Sequence, residues 1–245
     1  FAAEGFAELE AAMAQGGFGC DLVESGRVVA AATEAGEAKA RETYEGARAH
    51  GVGAEWLDRD GLKATIGSAY YRAGARTEAG YLLQPAKLTR GLADALPAHV
   101  RLFENSPVLA IEGDGPRVLR TPQAQIAADE VVLATNAAIK HFGYWRDRLV
   151  VIYTYAAFTE PMRAEDAATL GRPVWGVLPA HRLGSTLRRV GADRLMVRSL
   201  YAYEKTLDSG AVRAALGDRL HRRFPQLAQV KLEHVWGGTT ARAAE

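Results

Sequence analysis

The sequence predicts an α+β protein, with a mixed, mostly antiparallel sheet, flanking helices and a small β-meander. Three observations carry this expectation. Helical stretches with leucines at four-residue spacing are interspersed with short apolar runs bounded by glycine, asparagine and aspartate. Between residues 100 and 133 the apolar runs follow one another too closely for crossover helices, so they must pair antiparallel. The composition, 48% hydrophobic and 24% charged over 245 residues, suits a globular chain with one large domain or two smaller ones.

The opening "FAAEGFAELEAAMAQGG" predicts an amphipathic helix that stops at Gly16-Gly17. It is not a signal peptide, because it has no basic leading region and Glu4, Glu8 and Glu10 break its apolar run. "CDLVESGRVVAAAT" reads as a β-hairpin turning at Glu24-Ser25-Gly26, with Gly26 supplying a positive φ. Residues 36–50 read as a helix ending before Gly51, and "AEWLDRDGLKATIG" holds a short helix capped by Asp58 or Asp60. In "QPAKLTRGLADAL", Pro85 takes a first-turn position where its missing N–H is harmless. Leu88, Leu92 and Leu96 then line one face that needs a partner surface.

"VRLFE", "PVLAIEG", "PRVLRT" and "QIAADEVVLAT" are the expected strands of the meander, with Gly113-Asp114-Gly115 as the turn between the second and third. "LVVIYTYAAFTE" is a long strand with Tyr153 and Tyr155 on one face. "STLRRVGADRLMVRSLYAYE" is a hairpin turning at Gly191-Ala192-Asp193. A helix from Ser209 to Phe224 buries Val212, Leu216 and Leu220 and is ended by Pro225. "KLEHVWGG" makes a last strand.

Charge and composition exclude several functions. Thirty Lys+Arg against 29 Asp+Glu leave a formal charge of +1, and the pairs Arg188-Arg189 and Arg222-Arg223 make no basic stripe, so no nucleic-acid partner is expected. The single Cys20 rules out an internal disulfide and a cysteine-rich metal site. His50, His99, His141, His181, His221 and His234 show no ligand spacing, so no metal is expected. No apolar run reaches the roughly 18 residues of a membrane span, and a cytoplasmic location is expected.

The run "GYLLQPAKLTRGLADAL", then "NSPVLAIEGDGPRVLRTPQAQIAADEVVLATNA", and later "GSTLRRVGADRLMVR" and "EHVWGGTTA", resembles FAD-dependent amine and amino-acid oxidoreductases. The D-amino-acid oxidase, glycine oxidase and sarcosine oxidase group is the one resembled, in its γ-glutamylputrescine-oxidase-like branch, over about residues 5 to 241. The resemblance implies FAD as cofactor. Val108 would pass the adenine, Ala134, Thr135 and Asn136 would lie near the ribose and pyrophosphate, and Trp236, Gly237 and Gly238 would sit by the flavin. Small residues at a strand end agree with a nucleotide packing on main chain.

The same resemblance divides the chain. Residues 1–83 and 146–235 would belong to a substrate domain, 84–145 to a β-meander remnant of an FAD-binding domain, and 236–245 to the start of a truncated C-terminal flavin segment. The family fingerprint G-x-G-x-x-G between strand and helix is absent, since Gly17 and Gly19 in "QGGFG" have no strand before them. The chain is therefore expected to start after the dinucleotide-binding unit and to stop before the last flavin-contacting segment. The strand at 129–135 would then lack its neighbours, with a homo-oligomer as one way to cover it.

The implied reaction oxidises a C–N bond: hydride passes to the flavin, the imine hydrolyses, and an acceptor reoxidises the cofactor. An amino-acid substrate needs a cation for its carboxylate, and Arg188 and Arg198 are the candidates. Tyr153, Tyr155, Tyr201 and Tyr203 are candidate pocket residues; regular alternation puts Arg198 with Met196 and Leu200, opposite Tyr201 and Tyr203, unless the strand bends between them. No catalytic acid or base stands out. The isolated chain is expected to be inactive, and the alternatives are a flavin-free binding module and a structural or interaction fragment.

Overall fold

The computed structural model describes residues 2–113 and 115–243, so Asp114 of the expected Gly-Asp-Gly turn lies outside the described residues. The helices are α1 (Ala2–Gly16), α2 (Glu34–Ala49), α3 (Arg59–Ile66), α4 (Pro85–Asp94), α5 (Ala164–Ala168) and α6 (Ser209–Arg223). The strands begin with β1 (Val23–Glu24), β2 (Arg27–Ala31), β3 (Ala54–Leu57), β4 (Ala73–Thr77) and β5 (Tyr81–Leu82). Next come β6 (Ala110–Glu112), β7 (Arg117–Arg120), β8 (Gln125–Ala128) and β9 (Leu149–Thr159). The last are β10 (Trp175–Pro179), β11 (Thr186–Val190), β12 (Arg194–Tyr203) and β13 (Leu232–Ala243).

The chain divides into two compact units. One gathers the opening segment up to Cys20, Gln84–Val151 and the chain from Thr239 onward; the other gathers Asp21–Leu83 and Ile152–Gly238. In the first, β6, β7 and β8 form the expected antiparallel meander, and α1 packs against α4. Gly91 of α4 is buried, and a Cβ there would stand 2.0 Å from the Phe18 ring, so the helix is held through glycine and phenylalanine. The leucine face is only half covered: Leu92 and Leu96 keep 38% and 39% of their surface exposed.

In the second unit the strands follow the order β13-β9-β12-β11-β10-β2-β4-β3 in one eight-stranded sheet. β10 runs parallel to β2, whereas β10–β11, β11–β12, β12–β9, β2–β4 and β3–β4 are antiparallel. Alternate residues Trp175, Val177, Leu187, Leu195 and Val197 turn to one face and pack with Leu62 and Ile66 of α3 and Val212, Leu216 and Leu220 of α6. Trp175 Nε1 donates to Leu170 O at 2.8 Å, so the largest buried ring leaves no unpaired donor. On the opposite face α2 covers Val29 and Ala31, with Trp56, Leu178 and Ala180 around them.

Local caps set these helices. Thr33 caps α2 by accepting from Gly36 N, and Asp58 caps α3 by accepting from Gly61 N at 2.8 Å. Gly67 ends α3 in the left-handed region. Asp208 Oδ1 accepts from Ala211 N at 2.9 Å at the start of α6, and basic residues fill its last turn before Pro225.

Three local expectations are corrected. The segment 20–33 is not a hairpin: β1 pairs with β5 in a separate ribbon, and β2 enters the large sheet between β10 and β4. Four successive buried residues mark β2 as a central strand, and Gly26 at φ 66° turns the chain between the two sheets. "VRLFE" forms no strand, and Leu102 and Phe103 stay 56% and 61% exposed. Residues 131–135 form no strand either, because no described strand lies beside them to complete a ladder, and Val132 is 90% exposed. No helix among the described residues is long and apolar enough to cross a membrane.

Leu216 is fully buried between α6 and the sheet, so Leu216→Ala is expected to cost about 2–5 kcal/mol in urea unfolding. The half-exposed Leu92→Ala is expected to cost less than about 1 kcal/mol in the same measurement.

Candidate functional site

The site begins with a break in β12. Arg198 pairs with Ala156 of β9 and Ser199 with Tyr155, but the next partner, Thr154, is taken by Tyr201. Leu200 is the extra residue of a β-bulge, held at φ 62° in the left-handed region at a cost of about 1–2 kcal/mol. Its side chain packs toward the α3–α6 core. The bulge changes the expected alternation: Arg198, Tyr201 and Tyr203 now share the face of Ala156, Thr154 and Ile152. The Arg198 guanidinium lies 5.4 Å from the centre of the Tyr201 ring, and the Tyr201 hydroxyl donates to Gly184 O at 3.2 Å.

Arg188 joins them from β11. Thr186 pairs with Arg198 and Arg188 with Met196, which sets Arg188 diagonally beside Arg198 on the same face. Its Nη1 donates to Leu187 O at 2.8 Å and to Val177 O at 3.3 Å, which lays the side chain back across β10. The guanidinium is held below its ordinary pKa, first by burial and second by the positive charge of Arg198. Among the described residues no carboxylate lies within ion-pair distance of either arginine. Arg189, its sequence neighbour, points the other way and is spent on the carbonyls of Gly171, Arg172 and Ala192.

The candidate tyrosines divide. Tyr201 is brought to the arginines, and Tyr203 shares their face but is 54% exposed. Tyr153 and Tyr155 face the α3–α6 core; the Tyr155 hydroxyl accepts from Leu207 N at 2.7 Å, and its ring edge stands 3.0 Å from where a Cβ on Gly237 would lie. Gly237 therefore makes room for Tyr155, while a Cβ on Gly238 would meet nothing within 4 Å. Trp236 packs on Phe158 with ring centres 5.2 Å apart and keeps 42% of its surface exposed.

In the other unit, Val131 to Ala134 belong to no helix or strand, and their backbone groups make no hydrogen bond among the described residues. Ala134, Thr135 and Asn136 are exposed, and Asn136 turns the chain at φ 51° into a short 3-10 helix. Its Nδ2 donates to Thr239 O at 3.1 Å. Val108 is half-buried just before β6. A recess of about 520 Å³ beside this segment is lined by Ile111, Arg117, Asp129, Glu130, Val131, Val132, Leu133 and Tyr144. Small side chains and unpaired backbone groups leave the main chain of residues 131–135 open to approach, while Asp129 and Glu130 bring negative charge to the recess.

Two residues that shape the arginine face escaped the sequence reading. Gly176 sits in the middle of β10 directly opposite Arg188, and a glycine inside the strand pattern "VWGVLP" is the signal that a neighbour comes close. Leu200 gave no signal, because nothing in its residue type announces a left-handed conformation.

The family model described as DAO, FAD dependent oxidoreductase, matches residues 1–244. The chain belongs to this family. Among curated proteins it is 28% identical over 189 residues to a probable oxidoreductase OrdL of Haemophilus influenzae, covering 74% of this chain and 42% of that protein. It is 27% identical over 187 residues to the gamma-glutamylputrescine oxidoreductase of Escherichia coli, covering 75% of this chain and 44% of that protein. The chain thus spans less than half the length of the curated relatives it matches. In fold it is similar to glycine oxidase from Geobacillus kaustophilus, with a TM-score of 0.81 at 20% identity over 98% of this chain and 65% of that one. L-proline dehydrogenase from P. horikoshii shares the fold with a TM-score of 0.73 at 15% identity, over 95% of this chain and 64% of that one.

Two like charges without a counter-ion repel each other through solvent that salt can screen. Raising sodium chloride toward 1 M, where the screening length is about 3 Å, is expected to stabilise the wild type relative to Arg198→Gln by about 0.5 kcal/mol. Melting curves at low and high salt check this, and a salt response equal in both proteins contradicts it.

Proposed function

We propose that the chain supplies the substrate-binding face of an FAD-dependent oxidoreductase that oxidises the C–N bond of a small amino acid or N-substituted amino acid. One observation carries the reading: Arg188 and Arg198 are diagonal neighbours on one sheet face, and among the described residues no carboxylate lies within ion-pair distance of either. A substrate carboxylate is the counter-ion that fits. Arg198 offers its N–H groups to that carboxylate, with its plane set by the Tyr201 ring, and a paired geometry of this kind is the strong form of the contact. Arg188 has spent Nη1 on backbone carbonyls, so it adds positive field and its remaining donors.

The family and the fold support the cofactor. In the meander unit, Val108, Ala134, Thr135 and Asn136 are the residues that would hold FAD. When bound, FAD supplies the acceptor for the hydride that leaves the carbon bearing nitrogen. In this reading the unit with the large sheet is the substrate part and the unit with the meander is part of the cofactor domain. The arginines fix the substrate by its carboxylate, and thereby set which hydrogen faces the acceptor. No acid or base from the chain is required if the amine is bound deprotonated, since two guanidiniums favour the uncharged amine beside them.

Calorimetric titration of the purified protein tests this without requiring turnover. Propionate is expected to bind at least about tenfold tighter than propylamine, which lacks the carboxylate, the size of one charge-assisted hydrogen bond. Equal affinities for the two, or no binding of propionate, would contradict the reading.

A further inference from the structure

The two-arginine face depends on a residue without a side chain. We propose that Gly176 is a positioning residue that leaves the channel across β10 in which Arg188 lies, and so holds its guanidinium back from Arg198 with room for a carboxylate between them. This rests on the carboxylate reading given above. Gly176 is buried and directly opposite Arg188 in the β10–β11 ladder. A Cβ at this position would stand 3.2 Å from Arg188 Cδ, 3.3 Å from Arg188 Nε and 3.2 Å from Leu82 Cδ2. Those distances are all to the ends or stems of flexible side chains, and none is to backbone.

Gly176 is not among the residues with positive φ, so its backbone conformation is open to any residue. Room is what the missing Cβ provides. Leu82 of the β1–β5 ribbon closes one side of the channel, so a methyl group at 176 has Arg188 or Leu82 to push aside. Arg188 is anchored by Nη1 to Val177 O and Leu187 O, and a shift of its Cδ and Nε out of the channel pushes the guanidinium toward the Arg198 side, into the space a carboxylate needs. The neighbouring strand pairs β10–β11 and β10–β2 need not move, so the fold survives while the space between the arginines closes.

A double-mutant cycle read by propionate affinity, in calorimetric titration of the purified protein, separates positioning from packing. Gly176→Ala is expected to weaken propionate binding about tenfold, the worth of one charge-assisted hydrogen bond. Arg188→Ala is expected to weaken it at least as much, and the double variant no further than Arg188→Ala alone, because the methyl acts only through the arginine. Losses that multiply in the double variant, or a Gly176→Ala protein with wild-type affinity, overturn the proposal. Should Gly176→Ala not fold, the same cycle is run in a Leu82→Ala background, where the methyl has space and only Arg188 remains to be displaced. Wild-type protein that binds no propionate refutes the carboxylate reading itself; wild-type binding that Arg198→Ala abolishes but Gly176→Ala leaves intact refutes only the role of Gly176.

Discussion

The register between β9 and β12, shifted by one residue at Leu200, is the constraint on which the rest of the large sheet depends. Before the shift, Val197 and Ser199 turn inward and Arg198 outward; after it, Ala202 turns inward and Tyr201 outward. Without the extra residue in the ladder, the tyrosine would follow Ser199 and Tyr155 into the core face. A leucine in the left-handed region is unfavourable, and its apolar contact with the α3–α6 core, together with the ladder on both sides, holds it there. Bulges of this kind re-aim side chains, and here the re-aimed ring lies by Arg198.

The arginines on that face differ from Arg189, Arg194 and Arg223 of the same unit. Arg189 is spent on three carbonyls, Arg194 on Thr159 O and Glu233, and Arg223 on Tyr71 and the Tyr70 ring. Each of those cations has its structural reason within the chain. Arg188 and Arg198 instead lie together, one half-buried and held to backbone, the other resting on a tyrosine, and their charges oppose each other. Burying like charges without a counter-ion is unfavourable, and a bound anion reverses the sign of the interaction.

Much of the fold was legible in the sequence where the physics is local. Asp58, Pro85 and the Ser209–Phe224 stretch announced helix ends, because a cap acts within four residues of the group it satisfies. The meander of β6, β7 and β8 was legible for a similar reason, as short connections leave antiparallel pairing as the only choice. Pairing across the chain was not. The apolar residues on either side of Gly26 serve two different sheets, which local pattern cannot distinguish from a hairpin. "VRLFE" and residues 131–135 have strand composition, but a strand also needs a neighbour. Arg188, Arg198 and Tyr201 were each visible as residue types, whereas their convergence rests on a bulge at an ordinary leucine and on space left by a glycine 12 residues before Arg188 in the chain.

The central claim is that a carboxylate belongs between the two guanidiniums. A crystal structure of the protein grown with propionate tests this most directly. The account predicts density for the carboxylate within hydrogen-bond distance of Arg198, with Arg188 on its other side and the Tyr201 ring still against Arg198. Propionate bound elsewhere, or Arg198 turned away into solvent with the face empty at saturating propionate, would contradict it.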